Sequence, residues 1–473
     1  MKTPMTTLRR LPSFGRIGHV HMVGIGGIGM SSIAEVLLRR GYVVSGSDMS
    51  ESDVTQGLAE RGALVHMGHA AENAHGADVV VYSSAVHPDT NPETCWAREQ
   101  HIPLIGRPEM LGELMRMKFG VGIAGTHGKT TTTTMTGHVV QAGAFDPTVI
   151  VGGKVSSFGT NAVSGDGDII VIEADEYDRT FLRLTPSLAV ITNIDADHLD
   201  CYDDLDDIRD TFVQYANSVP FFGAAIVCLD DENVRGILAR LTRRVVTYGT
   251  ARHARVRAEN IRQDGRTMRF DVVDDGTPMG DVVLNAPGMH NVLNALASVS
   301  VGLELGMSFE DIRAGLAAFD GVHRRMQEIG ESAGILVVDD YAHHPTEVRA
   351  SLAGAAGCWT DRRIVAVFQP HLYSRTHDFE QEFAQSFFDA DVVVMTGVYG
   401  AREEPIDGID GSAIARGAEA AGHPAVHWVP ERTGVAAYLQ HICRPGDVVL
   451  TLGAGDIWRS SRELLTLLQE VPA

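Results

Sequence analysis

Residues Phe119 to Ala124 form an apolar run that ends in Gly125-Thr126-His127-Gly128-Lys129-Thr130-Thr131-Thr132, and a stretch with helical potential follows from Thr131 to Gln141. Strand, glycine turn and helix in that order constrain the fold strongly, because such units pack into a parallel sheet with helices on its faces. The expected class is therefore α/β. The turn also carries chemistry. Glycines let backbone N–H groups point inward, the helix N-terminus adds partial positive charge, Lys129 reaches outer phosphates, and the Thr130 hydroxyl suits magnesium. The pattern implies a nucleoside triphosphate. It is a shortened form of the usual loop, since Ile123 stands where a further glycine is normally found. The plain alternative is a strand-to-helix turn with no ligand.

A second unit of the same kind lies nearer the N-terminus. The strand-like His19 to Val23 turns at Gly24-Ile25-Gly26-Gly27-Ile28-Gly29 and runs into a helical pattern from Met30 to Arg40. The next strand, Tyr42 to Ser45, leads to Asp48, an acidic residue at the distance that holds a ribose hydroxyl in dinucleotide sites. By itself this fingerprint points to an NAD-dependent dehydrogenase. A further strand, Asp78 to Tyr82, ends at Ser83-Ser84-Ala85. Those serines fit either a close approach to phosphate or sugar, or an ordinary helix cap.

Two units in one chain of 473 residues call for more than one core, and the length suits two to four domains. The formal charge of -22 argues against nucleic acid or an anionic membrane as partner, so anionic substrates must be gripped locally. No apolar run reaches the ~20 residues of a membrane span, so no membrane insertion is expected, and the basic N-terminus (Lys2, Arg9, Arg10, Arg16) lacks the apolar stretch of a signal peptide. Five scattered cysteines, none in a Cys-x-x-Cys pair, suit a reducing cytoplasm.

Around Arg107 to Lys118 the pattern resets, and the second block begins. Its strand Ile169 to Ile172 delivers Glu173 and Asp175, and Ala189 to Ile194 delivers Asp195, Asp197 and His198. Ligands gather at the carboxyl ends of parallel strands, so these groups are expected to converge on Lys129. Glu173 and His198 are the metal candidates, against the alternatives of a solvated helix-start carboxylate and a loop histidine. Farther on, Pro287-Gly288-Met289-His290-Asn291 opens a helix to about Leu303. It places Asn291 and Asn294 on one face beside His290, where amides match the edges of adenine or serve as caps.

The third block begins near Gly321-Val322-His323-Arg324-Arg325. Four strands there end in Asp339-Asp340-Tyr341-Ala342-His343-His344-Pro345, Gln369-Pro370-His371-Leu372-Tyr373-Ser374-Arg375, Gly397 to Gly400, and Gly453 to Asp456. Adjacent histidines before a proline are extended and point to opposite sides, so His343 and His344 are not expected to share a zinc ion. They fit substrate contact or strand-end capping.

Five stretches in this order, Val23 to Ser31, Gly125 to Thr132, Asp197 to Asp200, Asp339 to Glu347 and Phe368 to Thr376, together resemble the Mur ligases over nearly the whole chain. The resemblance implies three domains. They are a Rossmann-like UDP-sugar-binding domain (1–117), a central P-loop ATPase domain (118–321) and a Rossmann-like amino-acid and closure domain (322–473). It implies an ATP- and Mg2+-dependent ligation joining L-alanine to the lactyl carboxylate of UDP-N-acetylmuramate through an acyl phosphate, in peptidoglycan precursor synthesis. The first glycine loop would then hold a UDP-sugar, through Gly24, Gly26, Gly27, Gly29, Asp48, Ser83 and Ser84. Gly125, Thr126, His127, Gly128, Lys129, Thr130 and Thr131 would take the triphosphate, with His290, Asn291 and Asn294 at adenine and Arg325 nearby. Thr130, Glu173 and His198 would bind metal. Tyr341, His343, His344, His371 and Arg375, with Arg324 or Arg325, would serve L-alanine and closure. Lys129, Glu173, His198, His343 and Arg375 would form the catalytic set.

Within the family, members that add acidic or basic amino acids resemble one another in using a carbamylated lysine after the Asp-His motif. No lysine follows Lys154 here, which excludes that device. The remaining competitor attaches a whole tripeptide to the same nucleotide sugar, and Tyr341 with the run Gln369-Pro370-His371 favours alanine. Leu372 departs from the pattern, because many relatives carry arginine there. A non-enzymatic ATP switch leaves the dense strand ends of the third block unexplained.

Overall fold

The structure is a computed structural model that describes residues 14–152, 162–401 and 403–469; Lys2, Arg9, Arg10 and Lys154 lie outside the described residues. The chain separates into two compact units. One comprises residues 1–257, 274–276 and 294–318; the other comprises 258–273, 277–293 and 319–473.

Within the first unit, β1 (His19–Val23), β2 (Val43–Asp48), β3 (Leu64–Met67), β4 (Val79–Tyr82) and β5 (Leu104–Gly106) form a sheet of order β3-β2-β1-β4-β5. Every pairing is parallel. The helix after β1 spans Ile28–Arg39 and buries Met30, Ile33, Ala34, Val36 and Leu37. That apolar stripe recurs at helical spacing and packs back on the sheet as a crossover.

The second sheet contains β6 (Phe119–Ala124), β7 (Thr148–Ile150), β8 (Ala162–Val163), β9 (Ile169–Glu173), β10 (Leu188–Ile191), β11 (Ala224–Cys228), β12 (Val245–Gly249), β13 (Val256–Asp264), β14 (Thr267–Asp274) and β15 (Thr277–Leu284). Its order is β15-β14-β13-β12-β11-β10-β6-β9-β7-β8. The loop-bearing β6 sits between β9 and β10, parallel to both. These central strands are nearly continuous apolar runs, because helices cover both faces of a parallel sheet.

The third sheet, in the second unit, contains β16 (Gln327–Ser332), β17 (Ile335–Asp340), β18 (Arg363–Phe368), β19 (Val392–Thr396), β20 (Val426–Val429) and β21 (Asp447–Leu452). Its order is β16-β17-β21-β18-β19-β20. Only β16 runs antiparallel among the paired strands of this sheet, with a bulge between Glu328 and Gly330.

Several boundaries differ from the sequence reading for identifiable reasons. The helix after the phosphate loop starts at Lys129, not Thr131, because Gly128 takes a left-handed conformation (φ 82°) and turns the chain directly into it. The strand expected to reach Ile194 stops at Ile191, so Asp195, Asp197 and His198 lie on the loop after it. β13 to β16 were not signalled, since half-exposed strands rich in polar residues lack the apolar run that marks the others.

Candidate active site

The carboxyl ends of β6, β9 and β10 bring the second block's polar residues together. At Gly125 (φ 138°) an added Cβ would overlap Thr192 Oγ1, and at Gly128 it would come within 2.7 Å of Asn294 Oδ1. Both glycines are therefore required by space as well as by conformation. The loop is pinned from the β10 end. Thr126 N donates to Asn193 O (3.2 Å), His127 N to Asn193 Oδ1 (2.8 Å), and Thr192 Oγ1 and Asn193 Nδ2 donate to His127 O. His127 Nε2 lies 3.2 Å from Asp195 Oδ2.

Lys129 Nζ donates to Gly125 O (2.8 Å), Thr126 O (3.2 Å) and Glu176 Oε1 (2.7 Å). Thr130 Oγ1 donates to Glu173 Oε1 (3.0 Å), and Gly152 N donates to Glu173 Oε2 (2.7 Å). His198, in a left-handed conformation (φ 55°), places Nε2 3.6 Å from Glu176 Oε1. The structure thus gathers Lys129, Thr130, Glu173 and His198 at one strand edge, as the motif spacing implied. Sequence reasoning missed Glu176, which is only 2% exposed and bridges Lys129 and His198. Its signal was the run Glu173-Ala174-Asp175-Glu176, but β9 ends at Glu173, and strand alternation cannot orient residues beyond that end.

Electrostatics here are lopsided. Burial alone would lower the Lys129 pKa, yet the charges of Glu176, Asp175 and Glu173 outweigh it and raise the value. Burial raises Glu173, and it pushes Glu176 up to about 7 despite the attraction of Lys129. Three carboxylates thus crowd one ammonium. Glu176 Oε2 is buried and has no hydrogen-bond partner among the described residues. Oxygen donors short of positive charge fit a magnesium ion.

At the first glycine loop, Gly24 (φ 79°) donates its N–H to Ser47 O (2.8 Å). Gly26 N donates to Asp48 Oδ2 (2.9 Å), and Met49 N to Asp48 Oδ1 (2.8 Å), so Asp48 holds the loop itself. Gly27 is the N-cap of the helix Ile28–Arg39 and makes no side-chain cap. An added Cβ at Gly24 would lie 3.0 Å from Ser83 Cβ, which brings the end of β4 to this loop. Ser83 and Ser84 do not cap a helix. Ser83 Oγ accepts from Ala85 N (3.3 Å) within a turn, and the next helix, Pro92–Glu99, is capped by Asn91.

The helix Met289–Glu304 carries His290, Asn291 and Asn294. In the first unit, Asn294 Oδ1 accepts from Thr132 Oγ1 (3.0 Å) beside the phosphate loop. In the second, Asn291 Nδ2 donates to Pro287 O (2.7 Å). Burial, with the nearby Arg325 charge, lowers the His290 pKa to about 4, so this ring is neutral near pH 7.

Elsewhere in the second unit, Arg324 and Arg325 separate by role. Arg324 is tied to Asp339 Oδ2 (2.8 Å) and Gly453 O (2.7 Å). Arg325 faces Glu347 Oε1 (3.4 Å), and both guanidinium groups lie over the Tyr341 ring. His343 and His344 diverge as expected. The His343 ring meets Tyr341 and His371 edge-on, whereas His344, 2% exposed, caps the helix Pro345–Cys358 through Thr346 N and packs on Phe379. Arg375 Nη1 donates to His371 Nδ1 (3.4 Å), and His371 stacks on Tyr399. Asp340 was not singled out from sequence; it is buried and accepts from Met326 N and Ala342 N (both 2.8 Å).

A lysine-bearing phosphate loop on the central strand of a parallel sheet, beside clustered carboxylates, defines a nucleotide-using α/β enzyme. Three family profiles match in chain order. They are the Mur ligase family catalytic domain over residues 19–119, the Mur ligase middle domain over 123–302, and the Mur ligase glutamate ligase domain over 324–455. The chain belongs to the Mur ligase family. It is 64% identical to a UDP-N-acetylmuramate--L-alanine ligase of Salinibacter ruber, over 98% of both chains. It is 51% identical to the ligase of that name from Geotalea daltonii, over 97% of this chain and all of the relative. The solved UDP-N-acetylmuramate-alanine ligase of Thermotoga maritima superposes with a TM-score of 0.77 at 30% identity, covering 95% of this chain and 99% of that one. A murein peptide ligase of Psychrobacter arcticus gives 0.66 at 25% identity, covering 96% and 99%.

Proposed function

We propose that this chain joins L-alanine to the lactyl carboxylate of UDP-N-acetylmuramate, using ATP, in the assembly of peptidoglycan precursors. The observation that carries this reading is the 64% identity to an L-alanine ligase across 98% of both chains. We assign the UDP-sugar to residues 1–117, ATP to 118–321 and L-alanine to 322–473.

A carboxylate oxygen is a poor leaving group, so the lactyl carboxylate first attacks the γ-phosphorus of ATP and ADP departs. The alanine amine then adds to the acyl phosphate carbonyl, loses a proton, and inorganic phosphate leaves. Bringing carboxylate and triphosphate together requires cations, because like charges repel strongly at short range. Lys129 and the amides from Gly125 to Thr131 hold the phosphates once Lys129 exchanges Glu176 for them. Thr130, Glu173 and His198 would hold magnesium, which supplies further positive charge against the transferring phosphoryl group. Asn291, Asn294 and His290 serve adenine, with Arg325 beside His290 on the nucleotide. Tyr341, His343, His371 and Arg375 serve L-alanine or closure, His344 supports them by capping the helix Pro345–Cys358, and His343 and Arg375 complete the catalytic set with Lys129, Glu173 and His198.

The five cysteines are free, and among the described residues no helix is long and apolar enough to cross a membrane. Free thiols suit work in a reducing cytoplasm. Phosphate release is to be measured with ATP, magnesium and UDP-N-acetylmuramate against L-alanine, glycine, L-serine, D-glutamate and the cell-wall tripeptide. Fastest release with L-alanine supports the proposal; preference for the tripeptide makes this a recycling ligase, and no release with any acceptor refutes a ligase role.

A further inference from the structure

β9 and β10 are not neighbours, because β6 with its phosphate loop lies between them. Adjacent strands stand about 4.8 Å apart, so these two end about 10 Å from each other. Yet the loops that follow them bring Glu176 Oε1 within 3.6 Å of His198 Nε2. Sheet pairing cannot set that spacing, since β9 ends at Glu173 and β10 at Ile191. The two loops have to be held in register across the end of β6 by contacts of their own.

Tyr202 touches both loops. Its hydroxyl donates to Glu176 O (2.5 Å), and its backbone N–H donates to His198 O (3.2 Å). Burial, with the Glu176 charge beside it, pushes the phenol far above its ordinary range, so it stays a donor. The ring is braced in turn. The Arg179 guanidinium lies over it, 4.9 Å from the centroid. That guanidinium is fixed by a two-pronged contact with Asp207 (3.0 and 2.6 Å) and by Thr211 Oγ1 (3.0 Å), both on the helix Leu205–Asn217. Consecutive left-handed residues, Asp178 (φ 51°) and Arg179 (φ 55°), carry the chain to this place. Such a pair, neither of them glycine, persists only where the surrounding contacts over-determine it. His198 is left-handed as well (φ 55°), and its carbonyl also accepts from Cys201 N (2.8 Å).

We propose that Tyr202 is a positioning residue for phosphoryl transfer, setting the distance between Glu176 and His198 across the phosphate loop, with Arg179 and Asp207 as its brace. This rests on the assignment of ATP to the second loop. Tyr202 acts through two backbone groups, so removing its hydroxyl leaves every side chain of the cluster present but displaced. Small displacements at a reacting centre slow turnover strongly. The Y202F change is also mild enough to fold, because Glu176 O keeps a second donor, Arg179 N (2.9 Å).

The test compares full-length Y202F, R179K and Y202F/R179K with the parent and with Y215F, which removes a buried hydroxyl that has no hydrogen-bond partner among the described residues. The readouts are kcat and KM for phosphate release, melting temperature, and Mn2+ binding followed by electron paramagnetic resonance with a non-hydrolysable ATP analogue present. Y202F should lower kcat roughly tenfold, while KM for UDP-N-acetylmuramate and L-alanine moves less than about twofold. Its Mn2+ affinity should fall about threefold to tenfold. R179K keeps the charge but loses the fork, and should lower kcat about threefold to tenfold. The double variant should be little worse than Y202F, because both changes act on one contact. Y215F should match the parent in kcat. A lower melting temperature with parental kcat and Mn2+ affinity would make Tyr202 a structural residue only and overturn the inference, as would a rise in KM with kcat unchanged. If Y202F folds poorly, R179K decides by the same split between kcat and KM. A parent enzyme that releases no phosphate with any acceptor would refute the ligase reading, and Mn2+ binding would still decide the role of Tyr202.

Discussion

Residues 19–39 and 119–142 are built alike, each a buried parallel strand, a glycine turn with a left-handed residue, and a helix crossing back over the sheet. Their charges differ sharply. Around the first loop a carboxylate, Asp48, is satisfied by backbone N–H groups, and the helix start has no lysine. Around the second, Lys129 is surrounded by Glu173, Asp175 and Glu176, with His198 beside them. The shared backbone explains why both suit phosphate, and the side chains decide what happens to it. A loop of amides holds a diphosphate without changing it, whereas a lysine among surplus carboxylates calls for a second cation and suits phosphoryl transfer.

That contrast can be broken most directly by chelating magnesium. Phosphate release should stop entirely while calorimetric affinity for UDP-N-acetylmuramate remains; residual turnover would remove Glu173 and His198 from their assigned role. Next in size, K129A should cut turnover roughly a thousandfold with little change in UDP-sugar binding. Loss of both would signal misfolding, and near-parental turnover would contradict the assignment of the loop.

The glycines test the same difference in stability. G125A forces a Cβ into Thr192 at φ 138° and should cost about 3 kcal/mol, whereas G24A, with Ser83 Cβ 3.0 Å away at φ 79°, should cost about 1 kcal/mol. Comparable melting losses would mean the two loops are equally tight.

A further effect on stability concerns acid. Burial alone would raise Glu93, but hydrogen bonds from His21, Ser47 and Asn73 prevail and hold it at about 2. A carboxylate with a lowered folded pKa contributes stability above its unfolded value, near 4.5, and loses it as pH falls through about 2. E93Q should therefore lose about 2 kcal/mol at neutral pH and show a flatter stability decline below pH 4.5. An unchanged acid slope would place that buried network outside the stability of the first sheet.

Much of this arrangement was legible in the sequence because glycine turns after apolar runs locate strand ends, and strand ends locate Glu173, His198, Tyr341 and His371. Other features depend on three-dimensional neighbours. Glu176 lies beyond the last strand residue of β9, where periodicity gives no direction. Arg107 and Gly29 meet only after β5 is laid at the edge of the sheet. Tyr202 meets Glu176 only once β9 and β10 flank β6. Arg324 and Arg325 are adjacent and chemically identical, and only the partners Asp339 and Glu347 separate them. The half-exposed β13 to β16 carry too little apolar pattern to announce themselves.

The central claim is that a carboxylate is activated by phosphoryl transfer at the second loop and then captured by L-alanine. It is tested most directly by supplying UDP-N-acetylmuramate labelled with 18O in its lactyl carboxylate and weighing both products by mass spectrometry. With both carboxylate oxygens labelled, the account predicts an alanylated nucleotide sugar that keeps one 18O and inorganic phosphate that carries the other in each turnover. Alanylated product accompanied by unlabelled phosphate would contradict it.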